Sequence, residues 1–495
     1  MVTCVFCAAE TKTDATPRAT GPRIRLVRPQ IGCRLVRNLD VVFKAYDVRG
    51  VVPDQLDADL VRDVGAAFAI VSKAAVRDGG AGTIVIAHDM RDSGPGLADA
   101  FAAGVTSQGV DAVQLGLAST DGLYYATGIL SLPGAMLTAS HNPAEYNGIK
   151  MALPGARPVG VETGLADIRR LIETGIPVYD GEPGVVTSRD MLRDYAAYMR
   201  QLVDLDGIRP LKVVVDAGNG MGGYTTPAVL GDIAELDIVP LFFELDGSFP
   251  NHEANPIEPE NLRDLQAAVI AAKADIGIAF DGDADRAFIV DENGRAVSPS
   301  TITALVAVGL LKRYPGSTII HNLITSKAVP EIVIENGGTP VRTRVGHSFI
   351  KQTMAETNAV FGGEHSGHFY FRDFWRADSG MLAALYVLAA LGHAPRDVTL
   401  STLLLPFERY PASGEINSRV ADTGATLQAI KAAYADRDVT TDELDGLTVT
   451  GATWWFNVRP SNTEPLLRLN AEANDQATLD EVRDEVLAII RGGQS

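Results

Sequence analysis

Short apolar runs alternate with longer amphipathic stretches through most of the chain. The runs at 83–87, 212–215, 276–280 and 317–320 are each followed by a polar residue and predict strands. Between such runs, apolar residues recur at helical spacing, and 97–108 and 261–273 are predicted helices. Strands that alternate with helices are typical of α/β proteins with parallel sheets.

Three of the predicted strands end in polar loops of similar layout, at 136–142, 214–220 and 278–283. This similarity indicates three related α/β units, each with a loop at the carboxyl end of a strand, where such folds bind ligands. The C-terminal part differs, because apolar and polar residues alternate over 467–473 and an amphipathic helix follows at 477–491. We therefore predict one half-exposed strand there, in a smaller α+β domain.

Residues 1–37 contain all three cysteines, Cys4, Cys7 and Cys33, together with seven Arg or Lys and two acidic residues. Their net charge is +5, so the rest of the chain carries −24 of the total of −19. Two alternative interpretations exist for this segment. The Cys-x-x-Cys pair could bind zinc, but that would need a second pair of ligands, and the Arg-rich, acid-poor composition could mark a targeting peptide. We expect instead a disordered extension, with the true start of the protein near Val36.

Deletion of residues 1–36 is therefore expected to leave catalytic activity and melting temperature unchanged. The comparison requires the full and shortened chains, assayed and unfolded under the same conditions. A large loss of either property on deletion would show that the extension belongs to the folded protein.

The length of 495 residues and the hydrophobic content of 46% predict three or four domains. The net charge of −19 argues against nucleic acid and anionic membrane surfaces as partners. The apolar run 381–391 is too short to cross a bilayer, which needs about 20 residues. The absence of cysteines after Cys33 and of a recognisable signal peptide leads us to expect a cytoplasmic protein.

An acidic loop directly follows the predicted strand 276–280. Asp281, Asp283 and Asp285 alternate along it, so in an extended loop their carboxylates point to one side. A solvated acidic turn would show the same pattern, and an EF-hand would need glycine where Arg286 stands. We predict that the three carboxylates bind Mg²⁺ and leave a coordination position for a phosphoryl oxygen.

Ser140 stands in a polar turn directly after the apolar run 135–137, and Lys150 follows ten residues later. The turn residues Asn142 and Pro143 would explain the segment as a simple change of chain direction. A serine nucleophile near a general acid or base and a magnesium loop would instead indicate phosphoryl transfer. We adopt this second interpretation.

Three further loops contain polar groups. Residues 459–465 offer an arginine, two hydroxyls and an amide, which suit a phosphate. In 362–368, Glu364 and Ser366 suit sugar hydroxyls, whereas a metal pair of His365 and His368 would lack a third ligand. The glycines of 218–223 match a dinucleotide fingerprint, but we expect Pro227 to interrupt the helix that this motif requires.

Taken together, the loops at 138–150, 281–286, 362–368 and 459–465 resemble those of the α-D-phosphohexomutase family in order and spacing. The resemblance covers roughly 40–490 and includes family-like segments at 43–50, 246–252 and 345–351. It implies an α/β fold of three related α/β domains plus a C-terminal α+β domain around a central active-site cleft. The predicted parts are a disordered extension (1–37), a phosphoserine-loop domain (38–190), a metal-loop domain (191–297), a sugar-loop domain (298–408) and a phosphate-loop domain (409–495).

The resemblance also implies a role for each residue that matches a family motif. Ser140 would be the phosphoserine, Lys150 a general acid and base, and Arg49 and Arg286 would stabilise charge on the transferring group. The implied metal ligands are Ser140, Asp281, Asp283 and Asp285, which would bind Mg²⁺. The implied substrate-binding residues are Tyr46, His347, Glu364, Ser366, Arg459, Ser461, Asn462 and Thr463.

Within this family, Asn462, Ala284 and His365 favour the phosphomannomutase/phosphoglucomutase branch over the phosphoglucosamine mutases. The expected activity interconverts mannose 1-phosphate and mannose 6-phosphate through a phosphoserine and a hexose 1,6-bisphosphate, which also activates the enzyme, and extends to glucose phosphates. Alternatives are a phosphoglucosamine mutase, a phosphoglucomutase or an inactive phosphosugar-binding protein. The segment from Asn322 to Ile324 stands where several bacterial members have a basic segment, so the fine substrate preference stays open. The resemblance also leaves open whether the protein is a monomer or a homodimer.

Overall fold

The computed structural model describes residues 38–74, 82–460 and 466–492. The predicted disordered extension therefore lies outside the described residues, and so do Ser461, Asn462 and Thr463. No helix in the described part of the chain is long and apolar enough to cross a membrane.

The first sheet has seven strands. Its strands are β1 (Val48–Val51), β2 (Thr83–His88), β3 (Asp111–Leu117), β4 (Gly134–Leu137), β5 (Tyr146–Leu153), β6 (Arg157–Pro158) and β7 (Val186–Ser188). Its central strands are parallel, whereas β5 runs antiparallel to its neighbours β1 and β4. The helices in this part are α1 (Ala58–Val71), α2 (Gly94–Thr106), α3 (Thr120–Ile129) and α4 (Leu165–Thr174).

The second sheet has five strands, and three helices belong to this part of the chain. Its strands are β8 (Leu211–Asp216), β9 (Leu236–Leu241), β10 (Ile276–Phe280), β11 (Ala287–Asp291) and β12 (Ala296–Val297), and the helices are α5 (Leu192–Leu202), α6 (Gly222–Val229) and α7 (Arg263–Ala272). Helix α6 contains Pro227, so our expectation that this proline interrupts the helix was wrong. Pro227 lies in the last turn of the helix, which ends two residues later at Val229, so the missing amide costs the helix one hydrogen bond near its end.

The third sheet also has five strands and is accompanied by five helices. Its strands are β13 (Thr318–Asn322), β14 (Thr339–Thr343), β15 (Phe361–Gly363), β16 (Phe369–Phe371) and β17 (Ala377–Asp378). The helices are α8 (Pro299–Arg313), α9 (Ala328–Glu335), α10 (His347–Thr357), α11 (Gly380–His393) and α12 (Leu400–Leu404).

The first three sheets share one order of strands. The spatial orders β5-β4-β2-β3, β11-β10-β8-β9 and β16-β15-β13-β14 are equivalent, with the first strand of each set antiparallel to the second and the others parallel. The central strands of each sheet are parallel, as predicted, and antiparallel pairing on one side makes the sheets mixed. Short loops of five to eight residues cannot cross over to a parallel neighbour, so each joins its strand to an antiparallel one.

The fourth sheet has five strands and two helices. They are β18 (Ala412–Arg419), β19 (Thr440–Asp442), β20 (Leu447–Thr450), β21 (Trp454–Pro460), β22 (Leu466–Ala473), α13 (Thr423–Ala433) and α14 (Gln476–Gly492). We had expected strand β22 to be half exposed, and this was wrong. Its polar residues Asn470 and Glu472 are buried. Glu472 accepts hydrogen bonds from the backbone amide of Lys327 and from Trp455, which satisfies its carboxylate away from water.

One hydrophobic core runs through the first three sheets. It contains Met136 of β4, Ile278 of β10 and Phe361 of β15, all buried. Each of these strands ends in one of the predicted functional loops, so the shared core fixes the loops relative to one another. A buried carboxylate adds to the connection, because Asp121 accepts hydrogen bonds from Tyr195 and Ser379.

Candidate functional site

The loop 138–145 joins β4 to the antiparallel strand β5 and carries Ser140. Ser140 has a φ of 50°, a left-handed conformation that costs energy for any residue with a side chain. Its hydroxyl donates to Asp281 Oδ2 at 2.8 Å, and the Arg286 guanidinium donates to Ser140 Oγ at 3.3 Å. The serine is thus held with its oxygen between an acceptor and a cation.

Arg91 fixes the backbone of this loop, and sequence reasoning missed it. Its buried guanidinium donates to the carbonyl oxygens of Ser140, Asn142, Pro143 and Tyr146 at 2.6–2.9 Å. Arg91 follows β2, so the polar loop after that predicted strand was the available signal. Because this one charged group binds four carbonyls, it stabilises the strained conformation of the loop.

The loop 281–286 joins β10 to β11 and brings its three carboxylates together. One oxygen of each lies within 4.8 Å of one oxygen of the others, and all three residues are buried. Lys150 donates to Asp283 Oδ2 at 2.7 Å and to Asp285 Oδ2 at 2.6 Å. Asp283 Oδ1 and Asp285 Oδ1 are buried and have no hydrogen-bond partner in the described part of the chain.

The two loops touch through their backbones. A Cβ atom on Gly282 would lie 2.3 Å from the carbonyl oxygen of Ser140, so only glycine allows this approach. A Cβ on Gly220 would lie 2.7 Å from the carbonyl oxygen of Gly282. This contact explains the glycine of the apparent dinucleotide motif as a packing requirement. Thr120, a further residue missed from the sequence, donates to Asp283 Oδ2 at 2.6 Å.

Burial and the two cations set the ionisation of this cluster. Burial raises the pKa of Asp281 to about 7. Burial also opposes the charges of Asp283 and Lys150, but their mutual attraction lowers the pKa of Asp283 below its usual range and raises that of Lys150 well above its own. Lys150 is therefore a protonated ammonium in this arrangement.

His141 adjoins the serine and is a third group in contact with it. Its Nδ1 lies 3.1 Å from Ser140 Oγ and also contacts the Arg286 guanidinium. Burial and the charge of Arg286 lower the pKa of His141 well below its usual value. Because an arginine can only donate, Nδ1 accepts and the ring is neutral with its proton on Nε2.

The loop 364–368 joins β15 to β16 and meets the metal loop. Arg286 and His368 form an isolated backbone bridge, and His368 Nε2 lies 3.7 Å from Asp285 Oδ1. Ser366 Oγ is 2.9 Å from His368 Nδ1. Glu364, the first residue of this loop, is buried. Its carboxylate accepts hydrogen bonds from the Tyr370 hydroxyl at 2.6 Å and from the amide of Gly346 at 3.2 Å.

Asp285, His368 and Asp378 also bring possible ligand atoms within 4.8 Å of one another. Lys351 Nζ lies 2.6 Å from Asp378 Oδ1 and 4.4 Å from the centre of the Tyr124 ring, both in a buried setting. The ammonium therefore already neutralises Asp378, so we place no second metal here. His365, the other histidine of this loop, instead lines a cavity of about 300 Å³ beside β18 and β22.

A cleft of about 960 Å³ opens over these loops. Among the predicted residues, Tyr46, Arg49, Ser140, Lys150, Asp285, Arg286 and His347 line it. Arg49 donates to Asn142 Oδ1 at 2.7 Å and to Asp47 at 2.6 Å, and the rings of Tyr46 and His347 lie 4.6 Å apart. A larger groove of about 1530 Å³ lies between α5 and α8, beside Arg200 and Lys312.

Arg459 lies at the end of β21, directly before the predicted phosphate loop. Its guanidinium donates to Glu415 at 2.8 Å, and Arg468 donates to the other oxygen of Glu415 at 3.0 Å. The assigned roles of Ser461, Asn462 and Thr463 remain predictions, since these residues lie outside the described structure.

Four family models match successive parts of the chain. They are described as phosphoglucomutase/phosphomannomutase alpha/beta/alpha domain I at residues 40–177, domain II at 193–294, domain III at 298–410 and the C-terminal domain at 415–489. Three α/β domains followed by a fourth, around a cleft formed by the loops of the first three, agree with this match. The chain belongs to the phosphoglucomutase/phosphomannomutase family, whose members are phosphohexomutases.

Similar proteins cover nearly the whole chain. "Phosphohexose mutases" of Xanthomonas campestris are 39% identical over 91% of this chain and 99% of their own length. A phosphomannomutase of Salmonella montevideo is 38% identical over 90% of this chain and 98% of its own. A crystal structure of a phosphoglucomutase/phosphomannomutase family protein from Burkholderia thailandensis superposes with a TM-score of 0.82 at 33% identity, covering 92% and 98% of the two chains.

Proposed function

We propose that this protein is a phosphomannomutase that interconverts mannose 1-phosphate and mannose 6-phosphate and also accepts glucose phosphates. The observation that carries the proposal is the 2.8 Å contact between Ser140 Oγ and Asp281 Oδ2, inside a cluster of three buried carboxylates. A hydroxyl in this position can accept a phosphoryl group. The choice of mannose follows from relatives named phosphomannomutases that match about 90% of the chain.

Asp281, Asp283 and Asp285 would hold Mg²⁺, with an oxygen on Ser140 as a further ligand. The donor set fits, because it consists of carboxylates and includes two buried oxygens, Asp283 Oδ1 and Asp285 Oδ1, that have no hydrogen-bond partner among the described residues. Such oxygens are the ligands that Mg²⁺ prefers. When bound, the ion would neutralise charge on the transferring phosphoryl group.

In one half of the proposed cycle, Ser140 takes a phosphoryl group from a hexose 1,6-bisphosphate. A bond forms between Ser140 Oγ and phosphorus while the bond from phosphorus to a sugar oxygen breaks. The hydroxyl proton passes to Asp281 Oδ2, which already accepts it as a hydrogen bond. Arg286, which donates to Ser140 Oγ, is placed to stabilise negative charge as the group transfers.

Lys150 would protonate the departing sugar oxygen. It lines the cleft, and the neighbouring carboxylates keep its ammonium charged, as an acid requires. In the reverse half, phosphorus bonds to the other hydroxyl of the sugar while its bond to Ser140 Oγ breaks. Lys150 takes the proton of that hydroxyl, and Asp281 returns its proton to Ser140 Oγ. The two halves together move phosphate between O1 and O6 of the hexose.

The phosphate of the substrate that is not being transferred would be bound by the fourth domain. Arg459, Ser461, Asn462 and Thr463 are the proposed phosphate ligands, with Tyr46 and His347 nearby. Glu364 and Ser366 are the proposed ligands of sugar hydroxyls. A cleft of about 960 Å³ is large enough for a hexose bisphosphate to turn between the two transfers.

A coupled assay tests the proposal with mannose 1-phosphate, glucose 1-phosphate and glucosamine 1-phosphate, each with Mg²⁺ and catalytic glucose 1,6-bisphosphate. We expect mannose 1-phosphate to turn over at a rate equal to or above the others. Turnover of glucosamine 1-phosphate alone would preserve the reaction class and overturn the substrate. No turnover of any of them would overturn the proposed activity.

Replacement of Gly282 by alanine is expected to lower kcat by about 10²-fold, because a shift of about 1 Å between catalytic loops has effects of this size. The new Cβ would lie 2.3 Å from the carbonyl oxygen of Ser140 and would force the loops apart. Gly309→Ala is the matched control, since a Cβ there meets no atom within 4 Å among those described. Equal rates for the two variants would contradict this account of the loop contact.

A further inference from the structure

The segment 345–347 carries His347 into the cleft and is held from two sides by the first and third domains. The amide of Gly346 donates to Glu364 Oε1 at 3.2 Å. A Cβ on Gly346, whose φ is 131°, would lie 2.8 Å from the hydroxyl of Tyr46. The position of the His347 ring therefore depends on the fit of a short, tightly packed segment.

The fourth domain holds the same segment from a third side. Asp445 lies in the turn between β19 and β20, and its Oδ2 accepts a hydrogen bond from the amide of Val345 at 3.1 Å. The neighbouring pair of Arg342 and Asp442 joins the end of β19, directly before this turn, to β14. The contact of Asp445 differs from that pair, because its partner is a backbone amide two residues from His347.

The turn that carries Asp445 is packed against Arg459. Gly446 has a φ of 72°, and a Cβ there would lie 2.6 Å from the Cβ of Arg459. Buried Asn457, two residues before Arg459, donates to the carbonyl oxygen of Asp445 at 3.0 Å. The turn thus moves with β21, the strand that ends in the predicted phosphate loop.

We propose that Asp445 is a positioning residue that ties the Arg459 strand to the segment 345–347 and so places His347 in the cleft. A displacement of the fourth domain would be passed to the segment that carries His347 through the hydrogen bond between Asp445 and the Val345 amide, beside the pair that joins Arg342 to Asp442. Two groups proposed to lie at the second phosphate of the substrate would then take up their positions together. The inference rests on the proposed roles of Arg459 and His347 in substrate binding.

Asp445→Ala is expected to lower kcat/KM for mannose 1-phosphate about threefold to tenfold, the effect of losing one hydrogen bond. Asp445→Asn keeps an acceptor oxygen and should restore most of this loss. Glu443→Ala is the matched control, because Glu443 is an exposed acid of the same region that pairs with Lys431 within the fourth domain. We expect it to leave kcat/KM unchanged.

Two further measurements separate positioning from a general effect on folding. Hydrogen exchange at the Val345 amide should accelerate in Asp445→Ala and remain unchanged in Glu443→Ala. In a background of His347→Ala, adding Asp445→Ala should cause no further loss of kcat/KM, because residues that act through one another are not additive.

Unchanged exchange at Val345 in Asp445→Ala would overturn the tie itself. Faster exchange combined with additive losses would overturn the route through His347. Full turnover in His347→Ala would overturn both the positioning proposal and the proposed role of His347. The exchange result does not depend on activity, so it would still show whether the tie exists.

Discussion

Replacement of Ser140 by alanine is expected to lower kcat by about 10⁴-fold or more, the effect of removing a nucleophile from an otherwise intact site. The residual site keeps Arg286, Lys150 and the three carboxylates, so affinity for mannose 1-phosphate should change little. Mass spectrometry of the protein treated with glucose 1,6-bisphosphate should find phosphate on the Ser140 peptide of the original chain and none on that of the variant.

Ser107→Ala serves as the control for this substitution. The Ser107 hydroxyl donates to the carbonyl of Gly104 in the turn after α2, and we expect normal turnover and a normal phosphopeptide. Substantial turnover in Ser140→Ala, or phosphate on another residue, would contradict the assignment of the nucleophile. If Ser140→Ala lost substrate affinity as well as turnover, the substitution would instead disturb the loop held by Arg91.

The strands could be predicted from local pattern because buried strands of a mixed sheet are short and apolar. The run 276–280 is β10 itself, and 83–87 differs from β2 by one residue. The equivalence of the loops could not be predicted in this way. The 214–220 loop follows β8, which is equivalent to β2, whereas the Ser140 and Asp281 loops follow β4 and β10. The third equivalent loop is therefore the one with Glu364, after β15.

The residues that support the site were missed because their partners are distant in sequence. Arg91 binds carbonyls about fifty residues away, and Thr120 binds Asp283 across 163 positions. Neither residue stands out in its own segment, since a polar residue after a strand is ordinary. The burial of Glu472 escaped the alternating pattern for the same reason, because its partners include the distant backbone of Lys327.

Asp283→Asn is expected to weaken Mg²⁺ binding, which raises the Mg²⁺ concentration at half-maximal rate. It should also lower kcat by about 10²-fold or more, since charge stabilisation by a metal contributes several kcal/mol. Asp283 is buried, with one oxygen bound by Lys150 and Thr120 and the other without a partner among the described residues. An amide in its place presents one neutral oxygen and an N–H group, which cannot bind a cation. Initial rates over a range of Mg²⁺ concentrations measure both effects, and calorimetric titration with Mg²⁺ measures binding without turnover.

Asp216→Asn separates a metal effect from the general cost of altering a buried carboxylate. Asp216 is buried at the end of the neighbouring strand β8, where it bonds to the amide of Gly218 and to His252 rather than joining the cluster. We expect this control to change stability and to leave the Mg²⁺ concentration at half-maximal rate unaltered. If Asp283→Asn also left that concentration unaltered, the three carboxylates would not be the metal site, and Asp283 would act only as the partner that keeps Lys150 charged.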